Sequence, residues 1–215
     1  MTKQLSLLLA FVLFISCTHA QVVKDSAILV KYQYDTLGFV SFPQAQLLDS
    51  IHPAAGFTKW EMNTFSMGEP YRNLYRFPAT KKPLPDTVVL SKSTAGFGTF
   101  CPPGWCSWYI SAQQKEKIIT VNTLNELSNF LGVFDNKFDA YLWLSAQYLA
   151  DSRGVPVTIT PNSQYKAVKD GILIKINMRI SDCPITHGTV MYFVGNDKRV
   201  VWLNMQVTSV SNACI

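Results

Sequence analysis

The densest run of chemistry-bearing side chains is Cys101-Pro102-Pro103-Gly104-Trp105-Cys106-Ser107-Trp108-Tyr109. Two thiols bracket a Pro-Pro-Gly segment, and Pro103-Gly104 suits the centre of a type II turn, so the chain can reverse and bring the thiols together. A loop closed in this way is rigid. Trp105 at its tip, with Trp108 and Tyr109 beyond, then forms a preorganised stacking surface for a sugar, a peptide or another apolar ligand. The competing arrangement folds the loop back so that Trp105 or Trp108 covers the core, where Trp commonly lies.

Cys183 and Cys214 complete a set of four cysteines downstream of residue 20. An even count in an exported chain points to two disulfides, with three pairings open to four cysteines. Cys101–Cys106 with Cys183–Cys214 is the favoured pairing. On the loop-entropy model the short loop contributes about 2 kcal/mol and the longer one about 4 kcal/mol. Two rivals use the same residues: a tetrahedral zinc site of Cys101, Cys106, Cys183 and His187, and a Cys183 nucleophile with His187 as base. Oxidising export argues against both, and no cofactor is expected.

Other catalytic constellations are thin. The chain contains no G-x-x-x-x-G-K-[ST], H-E-x-x-H, G-x-S-x-G or G-x-G-x-x-G sequence, which removes the recognisable nucleotide-binding, zinc-protease and α/β-hydrolase readings. Ser163-Gln164-Tyr165-Lys166 fits S-x-x-K, but K-T-G is missing and the Ser precedes a strand. Only His52 and His187 follow residue 20, so an unfamiliar hydrolase would pair one of them with an Asp. Asp135 and Asp139 sit one helical turn apart, where an N-cap and a first-turn charge explain them. Lys175, Asn177 and Arg179 share a strand face that suits an anion or, more simply, water.

The N-terminus carries an address. Lys3, the apolar stretch Leu5 to Ile15, and Thr18 and Ala20 around His19 make a secretory signal over residues 1–20, with the mature chain beginning at Gln21. A second reading takes Phe14-Ile15-Ser16-Cys17 as a lipoprotein box and anchors the protein to a bacterial envelope through Cys17. The apolar stretch is too short to span a bilayer, and no later segment is longer, so no integral span is expected. Loss of Lys3 leaves 18 Lys plus Arg against 14 Asp plus Glu. That mild positive charge is spread along the chain and gives nucleic-acid binding little support.

These residues must be positioned by an ordinary core, which 215 residues with 48% hydrophobic and 15% charged content can build. Residues 26–40 are β-branched and aromatic and predict a strand or hairpin. The stretch 41–86 is irregular, with a short helix near 44–51 and a Pro-rich segment over 77–86 that can join an N-terminal subregion, 21–86, to the rest of one α+β domain, 21–215. Strands are predicted over 87–92, 107–112 and 117–122, with a turn at Gly96-Phe97-Gly98. Thr123 and Glu126 form a capping box for a helix with Leu124, Leu127 and Leu131 on one face and Gly132 as its stop. A second helix follows, capped by Asp135, striped by Phe138, Leu142 and Leu149, and ended by Gly154, giving a helical pair over about 123–153.

The C-terminal strands, about 155–207, read as an antiparallel sheet packed with that pair. Asp170-Gly171 is a hairpin turn, and Ile172, Ile174, Ile176, Met178 and Ile180 on one face alternate with Leu173, Lys175, Asn177, Arg179 and Ser181 on the other. Strict alternation also puts Val201, Leu203, Met205 and Val207 inward on the last strand. The sum is a disulfide-stabilised α+β protein, exported to a bacterial periplasm or beyond. Its expected role is a non-catalytic module that binds an unknown ligand or envelope partner through the Trp loop.

Overall fold

In a computed structural model the chain forms two antiparallel sheets and three helices, described for residues 25–43, 47–66, 71–78, 89–101, 104–134, 136–147 and 162–211. The signal segment, Cys17, Cys214, Asp135, Gly154 and most of the Pro-rich segment lie outside the described residues. No helix among the described residues is long and apolar enough to cross a membrane.

One sheet is built from β1 (Val40–Ser41), β7 (Gln164–Val168), β8 (Gly171–Asp182), β9 (Ile185–Gly195) and β10 (Val200–Ser211), in that spatial order. The Asp170-Gly171 turn is where the sequence puts it, and the long β8–β9–β10 meander follows. The second sheet holds β3 (Arg72–Phe77), β2 (Phe57–Ser66), β5 (Gly104–Gln114) and β4 (Phe97–Cys101) in order, with β6 (Lys117–Val121) also paired to β5. The expectation of one C-terminal sheet is therefore too small. Residues 57–66 and 72–77 read as irregular because their aromatic residues are interspersed with Lys, Glu, Asn and Arg, and two of those polar residues, Glu61 and Asn63, are themselves buried on the far face.

Residues 25–32 form helix α1, not the strand predicted over 26–40. Ile28, Leu29 and Tyr32 fall on one helical face and pack against Leu173, Met191, Phe193, Val201 and Leu203. Tyr32 stacks on Phe193 with ring centroids 5.7 Å apart. β-Branched content favours a strand only weakly, and an apolar sheet face waiting for a cover overrides it. The residues Ser91 and Lys92 are likewise irregular where a strand is predicted. Gly96 leads into β4, and a Cβ there would meet the Trp108 carbonyl oxygen at 2.4 Å, so the residue is needed for close approach of two backbones.

The capping box forms as read, with Glu126 N–H donating to Thr123 Oγ1 and Thr123 N–H donating to Glu126 Oε2, and Gly132 closes α2 (Leu124–Leu131) at φ +64°. Its buried face is Leu127, Phe130 and Leu131, whereas Leu124 is exposed. In α3 (Lys137–Gln147) the cap is Asn136, whose Oδ1 accepts from the backbone N–H groups of Phe138 and Asp139 at 2.7 and 3.1 Å. Phe138 to Ser145 are buried all round, as expected of a helix sandwiched between layers rather than one with a single apolar stripe. The main core joins α2 and α3 to Trp60, Met62, Trp108 and Ile110 of one sheet and to Ile174, Ile176, Val190 and Tyr192 of the other.

Candidate functional site

Two of the three residues expected to form the stacking surface are core residues of the fold. Trp108 and Tyr109 are both fully buried, Trp108 packing on Phe97 at 4.4 Å between centroids. Residue 105 stands opposite Phe100 within the β4–β5 ladder, so its backbone is part of a strand and not the tip of a loop. Cys101 stands opposite Gly104 and Cys106 opposite Thr99, a diagonal arrangement. The side chains of Cys101, Trp105 and Cys106 lie outside the described residues, and Cys183 is exposed at the turn between β8 and β9.

Tyr109 belongs to a polar cluster that sequence reasoning missed. On the face of β2 and β5 turned away from the main core, Glu61, Asn63 and Ser111 are fully buried. Glu61 pairs with Arg76 at 3.1 Å, and Asn63 Nδ2 donates to Ser111 Oγ at 3.1 Å and to Glu61 Oε1 at 3.2 Å. Residues 89–96 run across this face as a strap. Leu90 N–H donates to Glu61 Oε1, the Ser91 and Ser111 hydroxyls meet at 2.8 Å, and Tyr109 OH donates to the Ser91 carbonyl at 2.7 Å. Tyr71 OH and Asn122 Nδ2 hold Ser93 from either side. Burial, with Tyr71 and Glu61 nearby, pushes the Tyr109 phenol well above its ordinary value.

The donors and acceptors of Glu61, Asn63 and Ser111 are spent on one another, on the strap, and on Arg76 and Asn73 of β3, so the cluster does structural work: it satisfies a buried polar face. The two histidines stand apart from it. His52 is exposed just after the 3-10 turn Leu48–Ser50, and His187 on β9 lies between Arg179 and Ser209 of the adjacent strands. Asp139 is buried against Asn136, whose Nδ2 donates to it at 3.0 Å. Among the described residues no group of three His, Cys, Asp or Glu is placed to hold a metal. Lys175, Asn177 and Arg179 do not converge: the Lys175 ammonium lies 3.6 Å from the centre of the Phe39 ring, and Asn177 accepts from the Thr189 hydroxyl.

The outstanding surface feature is β10. Val201 and Leu203 point inward, at 7% and 6% exposure, but Met205 and Val207 are 43% and 49% exposed, contrary to the alternation read from sequence. A bulge explains the reversal. Trp202 stands opposite Tyr192 and Asn204 opposite Met191, neighbours on β9, so Leu203 is an extra residue and the parity beyond it inverts. Met205 then stands opposite Val190 and Val207 opposite Gly188. A second shift, at Thr208, sets Val210 opposite Thr186. Cross-strand partners share a face, so Trp202, Met205, Val207 and Val210 form one apolar row on the face that bears α2 and α3, along the last strand of the sheet.

No family model matches this chain, and no curated protein or solved structure matches it.

Proposed function

We propose that the protein is exported and acts as a non-catalytic binding module of the cell envelope, and that its contact site is the outer edge of β10. One observation carries the reading. The 12 residues of β10, VVWLNMQVTSVS, contain no charge and no proline and expose Trp202, Met205, Val207 and Val210 on one face. Edge strands are ordinarily guarded by charge, proline or shortness, because their outward N–H and C=O groups template another strand. An edge without those guards suits strand addition, in which main-chain hydrogen bonds give affinity and the alternate side chains give specificity.

Export rests on the signal read in residues 1–20 and on the even set of four cysteines that follows it. Cys101–Cys106 and Cys183–Cys214 remain the proposed pairs, and the mass of the native chain separates a start at Gln21 from a lipidated Cys17. The hairpin that carries Trp105 is a second surface, secondary to β10 because Trp108 and Tyr109 are core residues.

A photo-crosslinking residue at position 208, in cells making the full chain, tests the contact site. A discrete adduct at 208 that does not form from position 116 in the exposed β5–β6 turn is the expected result. Equal labelling from both positions, or none from 208, overturns it.

A further inference from the structure

We infer that the occupant of the β10 edge is a second copy of this chain, paired antiparallel about a two-fold axis through Gln206, so that two five-stranded sheets fuse into one. The inference rests on the reading of β10 as a contact edge and goes beyond it by naming the partner.

The spacing of the apolar row is the first argument. Trp202, Met205, Val207 and Val210 lie four and one residues before Gln206 and one and four after it. A two-fold axis at Gln206 therefore sets Trp202 opposite Val210 of the other copy, Met205 opposite Val207, and Gln206 opposite itself. Aromatic with β-branched and apolar with apolar are the favourable cross-strand matches, made at about 5 Å between Cβ atoms. The row lies on one face of the sheet, and an axis perpendicular to the sheet keeps both rows on that face, so they merge into one continuous apolar band.

Charge is the second argument. An isologous contact sets each patch against its own copy, and like charges set opposite one another across strands are destabilising. Nothing in β10 from Val200 to Ser211 is charged, so the self-paired edge meets no such repulsion. A strand steered to a different partner by electrostatics would carry the complementary charge. The two bulges flank the run 204–207, which leaves the regular part of the ladder at the axis.

Gln206 is exposed, so charge can be placed on the axis without disturbing the interior. The test is sedimentation equilibrium of the purified mature chain over micromolar to hundred-micromolar concentrations. The wild type should be a dimer, and Gln206→Lys and Gln206→Glu should each be monomeric while keeping the wild-type circular dichroism spectrum and a single cooperative unfolding transition. Mixing the two variants should restore a dimer containing one chain of each. A monomeric wild type, or a dimer that persists in Gln206→Lys, overturns the self-pairing. A monomeric wild type that nevertheless crosslinks from position 208 to a different protein overturns self-pairing and leaves the binding reading standing, whereas no adduct from 208 removes both.

Discussion

Trp202 and Met205 lie three residues apart on β10 yet share one face of the sheet, because Leu203 between them is extra in the ladder. In an unbroken strand residues three apart face opposite ways. The whole apolar row depends on that bulge.

The bulge makes a direct statement about stability. On the Gln206→Lys background, where association does not contribute, Met205→Ser should change the unfolding free energy by less than about 0.5 kcal/mol, as surface changes do. Leu203→Ala should cost about 2 to 3 kcal/mol, as a buried truncation does. Urea unfolding of the two variants compares them, and equal losses would return Met205 to the interior.

The Glu61–Arg76 pair is buried at its carboxylate end and closed by the strap. Glu61→Ala removes an acceptor of Arg76, Asn63 and Leu90 together, and breaking a buried ion pair from one side costs about 3 to 5 kcal/mol. Glu61→Gln keeps an oxygen for the Leu90 N–H and should lose less. Chemical denaturation should place both below the wild type in that order.

Alkaline pH acts through Tyr109 and Tyr75. Burial, first in both cases, raises each phenol above its ordinary 10.0, with Asp49 adding to the effect at Tyr75. A raised folded value means that the unfolded chain ionises first, so the stability is fully present below pH 10.0 and is lost as pH climbs from there. Lys175 and Lys198 work in the opposite sense: burial lowers both, so their contribution grows with pH and is complete near 10.5. Above that point the tyrosines act alone. Tyr109→Phe should cost about 1 kcal/mol at neutral pH, through its bond to Ser91. It should also flatten the decline in denaturation midpoint above about pH 10. An unchanged slope would sink this assignment.

Helix α1 is a structural cover, and Tyr32 is its anchor. Tyr32→Ala removes a buried ring stacked on Phe193 and should cost about 3 kcal/mol in thermal or chemical unfolding. A neutral outcome would mean that residues 25–32 do not pack on the sheet.

Much of the fold could be read where local signals are strong. The Asp170-Gly171 turn, the Ile172 to Met178 alternation and the Thr123/Glu126 box each act over a few residues and appear as expected. Helix α1 was missed because Ile28, Val30 and Tyr32 favour strands until a sheet face claims them. The sheet of β2 to β6 was missed for a different reason. Glu61 and Asn63 look like solvent-facing residues, and only the return of Ser91 and Ser93 over them explains their burial. Met205 and Val207 were placed inward by an alternation that holds only without a bulge, and β10 offers no glycine to announce one. The sole available hint was negative: a long run without charge at the end of a sheet.

The most direct test of the contact edge is amide hydrogen exchange across β10, comparing the native chain isolated from its host with the Gln206→Lys variant. Occupation of the edge predicts slower exchange of alternate amides within 204–207 in the native chain, with β8 and β9 unchanged. Exchange along β10 that is identical in the two proteins would contradict the account, whatever partner is supposed.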